Sequence, residues 1–224
     1  MSLNKELASA KNNDELENIL EWYSMDKDWK IRVEVAKNPA TSVEILLRLF
    51  TDENMTVISA TIDNILKRLN GIKDDTKNMM AKDLNISVDI LKKLSLDNNW
   101  GIRSSVAEHP KTPIDILNVL SQDKESIVRS FVSLNPNIPL DIMTSLSEDE
   151  DEQVRNMLAK SPYIAIEILK TLSVDDSDLV RFGVAKNHNT PQNILKKLSF
   201  DIHSEVREIA LTNHIILENE LNNA

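Results

Sequence analysis

One spacing constrains this chain more than any other feature. An aspartate, an aliphatic residue five positions on and an arginine directly after it recur at Asp97, Ile102 and Arg103, then from Asp123 to Arg129, Asp149 to Arg155, Asp175 to Arg181 and Asp201 to Arg207. The step is 26 residues each time, without slippage. A fixed period of this size belongs to stacked supersecondary units, each of which buries its apolar face against its neighbours.

The interior of the period reads as two helices. Ile102 and Val106 are four apart and share one helical face, with Ala107 beside them. Their counterparts are Val128, Val132 and Ser133; Val154, Leu158 and Ala159; Val180, Val184 and Ala185; and Val206, Ala210 and Leu211. A second run, Ile116, Leu117 and Leu120, repeats as Ile142, Met143 and Leu146, as Ile168, Leu169 and Leu172, and as Ile194, Leu195 and Leu198. This is again helical spacing, not the period of two that a strand needs. Pro110, Pro136 and Pro162 stop the first helix, because proline donates no hydrogen bond and restricts the residue before it. Thr112, Pro113 and Asp115 are expected to restart the chain as cap, first helical residue and capping-box acid. Thr41 with Glu44 repeats that arrangement, and Thr190 with Pro191 keeps the cap. The series Asp97, Asp123, Asp149, Asp175 and Asp201 is expected to cap the following first helix. The predicted fold class is all-α, with about eight two-helix repeats.

The N-terminal half carries the same phrase less regularly. Ile19 and Leu20 fall in register with Ile45 and Leu46, and Asp26 to Arg32 repeats the full phrase. In the next unit Ile58 stands where arginine should be, and no proline or glycine interrupts the chain before Gly71. Arg32 to Lys77 spans 45 residues where two periods take 52, so this unit is seven residues short and one longer helix is predicted there. The whole is expected to be a single helical-repeat domain over 1–224. Residues 1–25 would form a cap or partial repeat, 26–96 irregular repeats with one shortened unit, and 97–224 regular repeats with a C-terminal cap.

The stretches from Ile31 to Thr41 and from Val180 to Pro191 resemble the repeat of the leucine-rich repeat variant family, and the match recurs in register over nearly the whole chain. The resemblance implies a right-handed α-α superhelix, a solenoid in which α and 3-10 helices alternate. The Asp-to-Arg spacing also looks like the second helix of HEAT repeats, in the HEAT/armadillo class, whose unit is longer. Some members of the variant family hold iron and sulfur on an N-terminal cysteine cluster. This chain has no cysteine, so that cofactor does not carry over, and no cofactor is expected. The family supplies no catalytic residues.

Several residue columns are candidates for binding. Arg32, Arg103, Arg129, Arg155, Arg181 and Arg207 form either a ladder for phosphate or carboxylate, or a structural ladder in which each guanidinium meets an aspartate of its own or the next unit. The structural reading is preferred, because the aspartate precedes the arginine by six wherever the phrase is complete. Carboxylates crowd 148–152, including Asp149 and Asp151, and 175–178, on a chain of net charge −10. Caps plus a solvated edge is the preferred reading of these acids; because one acid per loop suffices for capping, the surplus leaves a patch for a basic partner as the alternative. Trp29 and Trp100 occupy one repeat position that is otherwise mostly polar, and either anchor a partner or cover the junction around the irregular unit. Phe131, Met157 and Phe182 follow the arginines by one or two residues and are candidates for the same surface or for the core. Lys37, Lys82, Lys160 and Lys186 share a place near the end of the first helix, where a cation complements the helix dipole. The four histidines lack metal-ligand spacing, and no phosphate loop or nucleophile elbow is present, so neither catalytic nor metal residues are assigned.

The function expected is therefore a non-enzymatic protein- or peptide-binding scaffold presenting an extended concave surface. A nucleic-acid binder is the first alternative, disfavoured because phosphate binding wants a basic stripe and this chain has a pI near 4.9. An enzyme, or an enzyme-associated regulatory module, is the second, with fold analogy as its only warrant. No apolar run approaches the ~20 residues of a membrane helix. With no charged-then-apolar leader, a cytoplasmic protein is expected, working as a monomer on a protein or peptide partner, a basic one included, and not on nucleic acid or a membrane.

Overall fold

A computed structural model describes residues 3–222, and among them every regular element is helical. Contacts cluster in two compact units, Met1–Leu94 and Ser95–Ala224. Unit 1 carries α1 (Leu3–Leu7), α2 (Asn13–Tyr23), α3 (Trp29–Lys37), α4 (Val43–Leu49), α5 (Met55–Arg68), a 3-10 turn (Leu69–Gly71), α6 (Asp74–Ala81) and α7 (Val88–Leu94). Unit 2 carries α8 (Trp100–Glu108), α9 (Ile114–Leu120), α10 (Ser126–Val132), α11 (Leu140–Ser147), α12 (Glu152–Lys160), α13 (Ile166–Leu172), α14 (Asp178–Lys186), α15 (Gln192–Leu198) and α16 (Ser204–Asn222). The shortened repeat is the long helix α5, running unbroken until the turn at Gly71.

Within unit 2 the first helices pack in series, α10 on α8, α12 on α10, α14 on α12 and α16 on α14. Their seam is the aliphatic column of the sequence: Ile102, Val106, Val128, Val132, Val154, Leu158, Val180 and Val184 are all buried. The second helices contribute Leu117, Leu120, Leu146, Leu169, Leu172, Leu195 and Leu198 to the same core. In unit 1, α5 packs against α3, α4 and α7, and Val35, Ala36, Leu46, Val57 and Ile65 are buried there. At one point two helices approach closely: a Cβ on Gly183 of α14 would lie 2.7 Å from Asn156 Oδ1 and 3.1 Å from Ala159 Cβ, both on α12.

The ends of the first helices are set by their C-cap residues. Asn38, His109 and Ser161, each followed by proline, adopt extended backbone with ψ of 125°, 130° and 133°. Asn187 takes ψ 126° with no proline after it. A side-chain ladder accounts for that. The Asn187 amide donates to the carbonyls of Ala159 (2.7 Å) and Ser161 (2.9 Å) in the preceding repeat. Asn135 does the same to Ala107 and His109, both at 2.8 Å. Asn64, within α5, reaches Ala36 and Asn38, and the Ser161 hydroxyl donates to Ser133. Carbonyls left open at each helix end are thus satisfied by the next unit.

Three local expectations are corrected. Thr112 does not cap α9: its buried hydroxyl donates back to the Val106 carbonyl, as Thr41 does to Val35 and Thr190 to Val184. The orphan carbonyls of the first helix are the nearer acceptors, and Pro113, extended at ψ 152°, becomes the N-cap residue. Nor do the phrase aspartates cap the first helices. Asp97 accepts from the N–H of Asn99 two residues on, and Asn99 is the cap, accepting from Gly101 at 2.8 Å. The alternation of α with 3-10 helices that the resemblance implies is absent from the regular units, because their second helices close α-type bonds from the first turn, such as Leu117 N–H to Pro113 at 3.0 Å.

Candidate functional site

The loops that lead into the first helices hold the most developed polar arrangement. The phrase arginines before Arg207 reach in two directions. Arg103 donates through Nε and Nη2 to both oxygens of Asp123, in the next repeat, at 2.7 and 2.8 Å. Its Nη1 donates to the carbonyls of Asp97 and Asn98 in its own loop, at 2.8 and 3.0 Å. Arg129 makes the same pair with Asp149, Arg155 with Asp175 and Arg181 with Asp201, and in unit 1 Arg32 with Asp52. Among the described residues Arg207 binds just the carbonyls of Asp201 and Ile202, at 2.7 and 2.8 Å. A planar guanidinium fits this bidentate role where a lysine would not.

The accepting carboxylates are largely buried. Burial by itself would raise the carboxyls of Asp52, Asp123 and Asp175, but the arginine and a backbone N–H outweigh it and hold each below its ordinary range. At Asp201 the arginine contributes most and the result is again a lowered value. Every guanidinium of the column from Arg32 to Arg181 is therefore engaged by the chain itself.

This ladder decides which acids remain open. Asp149 is bound by Arg129, with its side chain 8% exposed. Asp151 caps α12, accepting from the Gln153 N–H at 2.8 Å, and its carboxyl is lowered by a hydrogen bond from Ser126 and by that N–H. Glu152 accepts from the Ser177 hydroxyl, and Asp178 lies 3.1 Å from His203 Nδ1. Glu148, Glu150 and Asp176 stay exposed. A groove of about 410 Å³ runs between these loops, lined by Ser147, Glu148, Asp149, Arg155, Thr171, Val174, Asp175 and Asp176. Val174 stands in it 78% exposed.

The aromatic candidates do not gather into one site. Trp29 belongs to unit 1, where Lys30 Nζ lies 5.9 Å from its ring centroid, and Trp100 to unit 2, half exposed at the start of α8. Phe131 and Met157 hold one repeat position on the packed helices α10 and α12, both half-buried. Phe182 is half-buried on α14, in the neighbouring column, whose members Ser104, Ser130 and Asn156 are buried.

Two features escaped sequence reasoning. The asparagine ladder has a signal in the recurrence of Asn64, Asn135, Asn187 and Asn213 at one repeat position, in steps of 26 residues once the seven missing ones are allowed for, but their bonding partners are carbonyls, which any residue provides. The exposed column Leu96, Val174 and Phe200, just ahead of the phrase aspartates, is interrupted by Gln122 and Glu148. Among the described residues no group of three histidines or carboxylates is placed to hold a metal ion, and no helix is long and apolar enough to cross a membrane.

No family model matches the sequence, and no curated protein matches it either. Among solved structures the chain is similar to a leucine-rich repeat variant with a novel repetitive structural motif, at 19% identity over 92% of this chain and 88% of that one, with a TM-score of 0.37. It is also similar to two engineered proteins. One is 14% identical over 95% of this chain and 76% of its own, with a TM-score of 0.37, and the other 15% over 97% and 95%, with a TM-score of 0.27.

Proposed function

We propose that the chain is a non-enzymatic scaffold that holds a basic protein or peptide segment along the loop edge of unit 2. The observation that carries this reading is the groove between the 147–149 and 171–176 segments. The ladder occupies Asp149, Arg155 and Asp175, so these fix the shape of the groove. Glu148 and Asp176 are surplus to it, and Val174 offers apolar surface between them. A lysine- or arginine-rich strand would be steered there by the surrounding charge, and an aliphatic side chain would cover Val174.

The test leaves the ladder intact. Glu148→Gln, Glu150→Gln and Asp176→Asn are combined, and binding of a short oligolysine peptide is measured by calorimetry at several ionic strengths. Wild type should bind, and its affinity should fall with salt as screening shortens to ~8 Å at physiological strength. The triple variant should bind more weakly and with a shallower salt dependence. Equal affinity and equal salt slope in the two proteins would refute the groove as the binding site.

A further inference from the structure

The opposite turn of the repeat, where the first helix hands over to the second, carries a different charge. A crevice of about 420 Å³ opens there between two successive repeats of unit 2, lined by Lys160, Pro162, Lys186, Asn187, His188 and Asn189. Lys160 ends α12 and Lys186 ends α14, one period later, so the two lysines hold one repeat position and line one crevice. Among the described residues that line the crevice there is no carboxylate. The positions next in the column are Leu134 and Thr212, which carry no charge. Neither lysine is within ion-pair reach of an acid among the described residues, although the chain holds 36 acidic residues against 26 basic ones.

Helix-end lysines commonly serve the exposed carbonyls of their own helix. Here the asparagines have taken much of that work. The Asn187 amide holds the carbonyls of Ala159 and Ser161, and the Asn189 amide holds that of Pro162 at 2.9 Å. Unit 1 has the corresponding crevice, lined by Lys37, Pro39, Ala60, Asp63, Asn64, Lys67 and Arg68. There Asp63 stands one period after Lys37, where unit 2 has Lys186 one period after Lys160, so unit 1 supplies its own counter-charge. Arg68 is also engaged, donating to the Thr41 carbonyl and to Asn64 Oδ1.

We infer that the Lys160–Lys186 crevice binds a phosphate monoester, with the two ammonium groups facing the dianion and His188 at its rim. Two point charges in register suit a compact dianion better than a single carboxylate, for which a guanidinium fork is the usual partner. Burial and the neighbouring charge of Lys186 lower the Lys160 ammonium from its ordinary value, a cost that a bound dianion removes. This site is independent of the acidic groove, and either can fail alone.

The experiment is an amide chemical-shift titration of the full chain with inorganic phosphate, and in a second arm with a phosphoserine peptide, at ionic strength held constant with chloride. Saturable shifts are expected at Lys160, Ser161, Lys186, His188 and Asn189, with acetate needing far higher concentration. The peptide saturating at lower concentration than inorganic phosphate would identify a phosphorylated chain as the source, and the reverse order a free small phosphate. Lys160→Gln and Lys186→Gln should each weaken binding about tenfold, as expected for loss of a charge-assisted bond, with the helical spectrum unchanged. Shifts that do not saturate, that acetate reproduces at equal concentration, or that survive the double substitution would overturn the assignment.

Discussion

Removing Arg155 tests whether the guanidinium column holds the repeats together. Arg155→Ala deletes two bonds to Asp175, at 2.8 and 3.0 Å, and two to the carbonyls of Asp149 and Glu150, at 2.7 and 3.4 Å. What it leaves behind matters more. The Asp175 carboxylate, 9% exposed in the intact pair, keeps its backbone donor at Ser177 but no cation against it in that rung. Deleting one partner of a buried pair costs about 3–5 kcal/mol, and an exposed pair is worth about 0–1 kcal/mol. At 17% side-chain exposure Arg155 lies nearer the buried limit, so a loss of about 2–4 kcal/mol is expected. Arg207 supplies the control. It makes the same carbonyl contacts, and among the described residues no carboxylate reaches it, so Arg207→Ala should cost only about 1 kcal/mol. The difference isolates the ion pair. Urea unfolding followed by far-ultraviolet circular dichroism gives both values, and hydrogen exchange at the Ser177 amide reports whether the loop itself has loosened. If Arg155→Ala and Arg207→Ala are equally mild, the column does not bind the stack.

Acid should narrow the gap between Arg155→Ala and wild type. The native Asp175 carboxyl is lowered, so its contribution is present above the unfolded value of ~3.9 and lost as pH falls through the folded one, whereas in the variant burial favours protonation; a gap constant down to pH ~2 in thermal melts would contradict this. Asn135→Ala should cost about 2–3 kcal/mol, since the Ala107 and His109 carbonyls lose a buried donor, and a melting temperature within a degree or so of wild type would refute it. Gly183→Ala should destabilise by about 1–3 kcal/mol through the clash with Asn156, and Asn156→Ala should relieve part of it in a double-mutant cycle, strict additivity being the contrary result. Ser104→Ala should be neutral or slightly stabilising in a thermal melt, because the buried Ser104 hydroxyl has no hydrogen-bond partner among the described residues.

The repeat was legible because two of its signals are periodic in side chains that only a helix can line up. Ile102 with Val106 and Leu117 with Leu120 place both helices, and the structure buries all four. Polar wiring was less legible, because its partners are backbone groups. Nothing in the spelling of Thr112 distinguishes a hydroxyl that accepts from the helix it precedes from one that donates to the helix behind it. The acidic loops show the same limit: 148–152 reads as five similar carboxylates, yet Asp149 bonds the next-door arginine, Asp151 caps a helix and Glu148 faces the groove. Only the fold separates the acids that build the edge from those that are left to meet a partner.

The shortened repeat shows what each ladder requires. A full repeat would place arginine at position 58 and, allowing for the seven missing residues, its aspartate at position 71. The chain has Ile58 and Gly71, so both members of the rung are gone together. Losing one alone would leave a buried charge with no partner, which is costlier than losing the pair. The asparagine rung behaves differently, because its acceptors are carbonyls that the preceding helix end presents whatever follows. Asn64 accordingly survives inside the continuous helix α5, one period after Asn38, and still binds Ala36 and Asn38. Restoring arginine alone, as Ile58→Arg, should therefore destabilise unit 1 or leave it unchanged, whereas a stabilised protein in urea unfolding would show that a lone guanidinium can satisfy itself on the loop carbonyls, as Arg207 does.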